Sequence, residues 1–217
     1  IMGNSYQRNV TQWSKGEYAN ANNQEDDIAI IQAHGPAYIG DDHGDAATSA
    51  TNLPAGTTLS ATGVIGQNTD TDVFMFAAGA GTVSLDLTLQ PRSPNLDALI
   101  ELRDGSGALV ASSNPVDALA ASLNTTVAGG NYYLSVTGVG KGDLTTGYSD
   151  YGSLGEYTIS GTVPDPTGNV APVAVAAANP TTGNVPLTVA FTGDQSSDQD
   201  GQIVSYAWTF GDGGTST

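Results

Sequence analysis

Apolar and polar residues alternate with a period of two through the middle of the chain. Val83, Leu85, Leu87 and Leu89 are separated by Ser84, Asp86 and Thr88. Tyr132, Leu134 and Val136 interleave with Tyr133, Ser135 and Thr137, and Tyr157 and Ile159 with Thr158 and Ser160. This period predicts strands with one buried and one wet face. Asp104-Gly105, Ala128-Gly129-Gly130 and Gly140-Lys141-Gly142-Asp143 mark turns between them. Residues 39–165 read as about eight short strands, the count expected of an antiparallel β-sandwich or jelly roll.

The first 38 residues follow another pattern. Asn23 is placed to cap a helix whose first turn is Gln24-Glu25-Asp26-Asp27, where acidic groups favour the positive end of the helix dipole. Ile28 and Ile31 then share a face, and Gly35-Pro36 stops the helix. A weaker helix is expected within residues 10–18. A segment this short buries no core of its own, so it reads as the tail of a larger domain.

Val163-Pro164-Asp165-Pro166-Thr167-Gly168-Asn169 has the composition of a linker. Beyond it three strands are predicted: one at Val173 and Val175, one at Leu187, Val189 and Phe191, and one at Val204, Tyr206, Trp208 and Phe210. Three strands with an open edge are marginal alone. The expected organisation is residues 1–38, an incomplete tail; 39–163, a β-sandwich; 164–169, a linker; and 170–217, a truncated second β unit. The fold class is mainly β with a short helical N-terminal segment.

Charge narrows the function. The 217 residues carry 22 acidic and 5 basic side chains, a formal net charge of −17. Nucleic acid and anionic membranes repel such a chain. No apolar run approaches the roughly 20 residues of a membrane span. Ile1-Met2-Gly3-Asn4-Ser5-Tyr6 shows no secretory signal. With no Cys, disulfides and thiolate chemistry are excluded. Asp outnumbers Glu by 18 to 4. Asp is a turn former and a short, stiff oxygen ligand, which makes calcium a natural partner.

Catalysis finds little support. His34 and His43 lie nine residues apart, outside any His-Glu-x-x-His pattern, and no Gly-x-Ser-x-Gly elbow is present. Asp41, Asp42 and Asp45 occupy one loop, and Asp70 and Asp72 a later one. Calcium takes six to eight oxygens at about 2.3–2.6 Å, and these loops meet that need if the fold joins them. Asp198, Asp200 and Asp212 form a second, weaker cluster, where Asp200-Gly201 is first a hairpin turn. Among the aromatics, Tyr132 is expected inward and Tyr133 outward. Tyr133 and Tyr151 are candidate contacts for a protein or polysaccharide, and Trp208 is a core residue of the second unit.

Three stretches resemble known families. Residues 39–163 resemble a bacterial pre-peptidase C-terminal domain, a β-sandwich appended to secreted peptidases. The matching runs are Asp41-Asp42-His43-Gly44-Asp45, Gly63-Val64-Ile65, Asp70-Thr71-Asp72-Val73-Phe74, Asn95-Leu96-Asp97-Ala98, Gly130 to Val136 and Gly147 to Tyr157. That family resembles the collagen-binding domains of clostridial collagenases, which bind calcium. By position the resemblance implies ligands at Asp42 and Asp45 and at Asp70 and Asp72, with Gly44 replacing one side-chain arm. Residues 170–217 resemble the first half of a PKD domain, through Pro186-Leu187-Thr188-Val189, Ser197 to Gly201 and Trp208-Thr209-Phe210-Gly211-Asp212-Gly213. Residues 1–34 resemble the end of a metzincin-type zinc peptidase domain, with Met2 as the Met-turn and Gln12 to Tyr18 and Glu25-Asp26-Asp27 following it.

These resemblances imply the non-catalytic C-terminal region of a secreted bacterial zinc metalloendopeptidase. Zinc would belong to the parent catalytic domain only. The appended domains would serve secretion and maturation, stability or attachment to an extracellular protein or polysaccharide, and the chain is expected to be monomeric. The alternative is a calcium-dependent extracellular adhesion or substrate-binding protein.

Overall fold

The computed structural model describes residues 9–11, 13–168, 172–198 and 202–217. Met2 lies outside them. The chain divides into two units, residues 1–166 and 167–217.

The first unit holds helix α1 (Asp27–Ala33) and strands β1 (Thr51–Asn52), β2 (Thr58–Ile65), β3 (Thr71–Ala78), β4 (Gly81–Leu89), β5 (Ala98–Asp104), β6 (Leu109–Ser113), β7 (Ala121–Val127), β8 (Gly130–Gly138) and β9 (Gly155–Thr162). They form two sheets, ordered β1-β3-β8-β5-β6 and β2-β9-β4-β7. Every pairing is antiparallel except β1 with β3. The predicted alternation sets which residues meet. Phe74 lies opposite Leu134, and Ile100 opposite Val136. In the other sheet Leu85 faces Leu123, and Leu87 faces Ile159. These side chains form one core with Phe76, Leu102, Val83 and Tyr157. A two-sheet sandwich is how two half-apolar sheets each hide a face.

Three local features differ from expectation. The helix begins at Asp27, with Asp26 as its cap, because Asp26 accepts from the Ala29 amide. Asn23 instead accepts from the Glu25 amide two residues on, a local turn that competes with helix. Residues 10–18 form no helix among those described. Their amides bond elsewhere, Thr11 to Asn95 Oδ1 and Ser14 to Asp27 Oδ2, and Trp13 and Gly16 adopt positive φ. In the second unit the strands are short: β10 (Ala177–Asn179) pairs with β11 (Ala190–Thr192), and β12 (Trp208–Thr209) with β13 (Thr215–Ser216). Val173 makes only an isolated bridge to Ser197. Trp208 packs 6.0 Å from the Phe191 ring yet stays half-buried, since strands this short close no core around it.

Candidate metal centre

Strand alternation places one carboxylate among the inward-facing residues. Asp72 is in phase with Phe74 and Phe76 on β3 and is fully buried. A buried charge demands partners. The Tyr157 hydroxyl, from β9, donates to Asp72 Oδ2. Gly63, opposite Tyr157 across β2 and β9, makes room for that bond. A Cβ at Gly63 would sit 2.3 Å from the Tyr157 hydroxyl and 2.6 Å from Asp72 Oδ2. The other oxygen, Oδ1, is buried with no hydrogen-bond partner.

Asp70 stands two residues earlier, at the end of the turn between β2 and β3. Its amide bonds the Gln67 carbonyl, and its Oδ2 accepts from the Gly66 amide at 2.6 Å. Its Oδ1 is also buried and unpartnered. Asp41 approaches both from the acidic loop, and one carboxylate oxygen from each of Asp41, Asp70 and Asp72 lies within 4.8 Å of the others. Oxygens bound to one calcium at about 2.3–2.6 Å sit no more than about 5 Å apart, so the spacing admits a shared ion.

The acidic loop is built from side chains that cap strand edges. β2 is an edge strand of its sheet. Its Thr62 carbonyl accepts from His43 Nε2 at 2.8 Å, and its Val64 amide donates to Asp42 Oδ1 at 3.3 Å. Because a carbonyl only accepts, Nε2 carries the proton, and Nδ1 pairs with the Thr51 hydroxyl at 2.8 Å. On the other sheet, the Thr71 amide donates to Asp45 Oδ1, and the Val73 amide to the Gly44 carbonyl. The loop thus bridges β2 of one sheet and β3 of the other. Gly44 is packed against Ser49, with room for no Cβ.

Burial and neighbouring carboxylates raise the pKa values of Asp72 and Asp70. Burial, reinforced by Asp42 and Asp70, pushes the Asp72 pKa up to about 7, against the opposing Tyr157 hydrogen bond and His43. Burial also raises Asp70, the Gly66 amide opposes it, and Asp41, Asp45 and Asp42 add to the rise. Two orphaned carboxylate oxygens beside a third carboxylate suit a hard divalent cation with oxygen ligands.

The residues expected in this centre divide into two groups. Asp70 and Asp72 meet with Asp41. Asp42 and Asp45 lie in the same loop and accept from the Val64 and Thr71 amides, as Asp41 Oδ1 accepts from the His43 amide, but they fall outside the three-carboxylate group. Asp41 was visible in the sequence cluster, but its approach to Asp70 and Asp72 was not, because that depends on the loop conformation. Tyr157 and Gly63 fell in runs that carried the family resemblance, but nothing in the sequence tied either of them to Asp72.

Elsewhere, Tyr133 is half-buried on β8, opposite Met75 and Arg103. Tyr151 is buried and bonds to Asp26, so its hydroxyl is engaged within the fold. Asp212 accepts from the Gly214 amide, and Asp200 lies outside the described residues. Beside the acidic loop, a groove of about 450 Å³ runs along outward-facing residues of β2, β9 and β4, lined by Asp42, Thr62, Thr88, Gln90, Glu156 and Thr158.

Residues 169–217 match the family model of the PKD domain. Among solved structures, the chain is similar to the pre-peptidase C-terminal domain of a collagenase from Bacillus anthracis, at 18% identity and a TM-score of 0.37. That likeness covers 57% of this chain and 99% of the other. No described helix is long and apolar enough to cross a membrane.

Proposed function

We propose that this chain is the non-catalytic accessory region of a secreted zinc metalloendopeptidase, and that calcium stabilises its β-sandwich. The observation that carries the calcium reading is the pair of buried, unpartnered oxygens on Asp70 and Asp72, within 4.8 Å of an Asp41 oxygen. Asp41, Asp70 and Asp72 would hold the ion. Bound there, calcium neutralises carboxylates that burial otherwise penalises and ties the acidic loop to the β2–β3 turn. The accessory reading is supported by the PKD match at residues 169–217 and by the sandwich that precedes it. Attachment to an extracellular polymer would use the polar groove beside the loop, where Asp42, Gln90 and Glu156 offer hydrogen-bonding groups.

The test joins two readouts on the 217-residue chain. It should cleave no peptide substrate. Its melting temperature should rise with calcium and fall with chelator. Peptide-bond turnover would sink the accessory reading. An unchanged melting temperature with no bound metal would sink the calcium reading. The parent enzyme is tested separately, by searching the coding sequence upstream of Ile1 for His-Glu-x-x-His-x-x-Gly-x-x-His.

A further inference from the structure

Among the described residues, the hydrogen bonds from residues 9–28 to the rest of the sandwich go to Asn95 and to one segment, residues 144–152. The Thr11 amide donates to Asn95 Oδ1 at 2.8 Å, and Asn95 in turn donates to the Gly152 carbonyl. The Ala19 amide donates to the Leu144 carbonyl at 3.0 Å. The Ser149 hydroxyl donates to Glu17 Oε2 at 2.5 Å. Tyr151 closes the set. Its hydroxyl donates to Asp26 Oδ1 at 2.5 Å and accepts from the Ile28 amide at 3.0 Å, while Lys15 Nζ lies 4.8 Å from its ring centre.

The receiving segment is itself fixed to the sandwich. Lys141 and Tyr148 form a β-bridge, and the Tyr148 hydroxyl donates to the buried Asp97 at 2.8 Å. The Asp97 amide donates to Ser153 Oγ at 2.8 Å. The attached segment, by contrast, buries little: among its described residues Val10 is the buried apolar side chain, helix α1 has no buried residue, and Ile30 and Ile31 just beyond the strap are exposed. Hydrogen bonds therefore supply most of its contacts, with the burial of Val10 beside them. Such contacts open at lower cost than core strands do.

We propose that residues 9–28 are a strap latched by Tyr151 and Ser149. Latched, the strap holds α1 at a fixed place on the sandwich. It releases as a unit while the two sheets stay folded. Tyr151 is then a positioning residue, and the run from Gly147 to Ser153 is the strap's receiver rather than a surface for an outside ligand. The inference concerns contacts within the first unit, and it stands whether or not calcium binds or a peptidase domain precedes it.

Amide hydrogen exchange on the full chain tests it, with Tyr151→Phe and Glu17→Ala as variants. The Phe ring keeps the packing and loses both hydroxyl bonds. In the wild type, the amides of Thr11, Ala19 and Ile28 should exchange at least tenfold slower than an unstructured chain. Each variant should erase that protection while leaving the amides of β3, β8 and β9 as slow as before. Glu17→Ala leaves the Tyr151 packing untouched, so it reads the latch even if Tyr151→Phe fails to fold. Random-coil exchange of the strap in the wild type would overturn the proposal. So would unchanged strap protection in Glu17→Ala, or loss of protection throughout the sandwich in that variant.

Discussion

The Tyr157 hydroxyl donates to the carboxylate of Asp72, joining β9 of one sheet to β3 of the other inside the sandwich. Removing the donor leaves Asp72 Oδ2 without its partner in a buried place. Tyr157→Phe should therefore destabilise the chain by about 1–3 kcal/mol, the cost of an unsatisfied buried group. Urea unfolding in chelator measures it. The loss should shrink when calcium is added, because the ion then balances the same carboxylate.

Gly63 is required by that bond. Gly63→Ala puts a methyl within 2.6 Å of both the Tyr157 hydroxyl and Asp72 Oδ2. Overpacking of this kind costs about 1–3 kcal/mol. The variant should unfold at lower urea and bind calcium more weakly, whereas Gly105→Ala, whose Cβ meets nothing nearer than 3.5 Å, should leave calcium binding unchanged.

The strands were readable from the sequence because alternation is local. Val83, Leu85 and Leu87 face the core in the predicted phase, as do Tyr132, Leu134 and Val136. The same alternation puts Asp72 inward, in step with Phe74. Its partner was not readable, since Tyr157 lies 85 residues away and only the sheet pairing brings it close. Tyr151 escaped for another reason. It sits in a short 3-10 turn (Asp150–Gly152), where no strand period says which way a ring points. The acidic loop was legible as a cluster, but which Asp joins Asp70 and Asp72 was not: Asp41, Asp42 and Asp45 all accept from backbone amides, and only the loop conformation brings an Asp41 oxygen within 4.8 Å of theirs.

The contribution of Asp72 to calcium-free stability should fall as pH rises above about 4. The Asp72 pKa is raised to about 7 in the folded chain, from 3.8 for the free side chain, chiefly by burial. The folded state therefore binds this proton more tightly than the unfolded state. The stability this group contributes is complete below about pH 4 and is lost as pH climbs through about 7. Asp70 and Asp97, also raised by burial, act in the same direction. In chelator, Asp72→Asn should match or exceed the wild type at pH 8, and the difference should narrow at pH 5. A wild type more stable than Asp72→Asn at pH 8 in chelator would contradict this.

The core sets the scale for these effects. Leu134 is fully buried between β3 and β5, opposite Phe74 and Leu102. Leu134→Ala should cost about 2–5 kcal/mol through lost burial and a residual cavity. Thermal unfolding should show the loss with and without calcium, in contrast to Tyr157→Phe.

Calorimetric titration of the 217-residue chain with calcium tests the central claim most directly. The account predicts a single site, with a dissociation constant of about 10⁻⁴–10⁻³ M if it follows extracellular calcium modules. Asp72→Asn should abolish the binding heat, and Asp42→Ala should weaken it far less. No heat and no rise in melting temperature at millimolar calcium, or an Asp72→Asn variant that binds as tightly as the wild type, would contradict it.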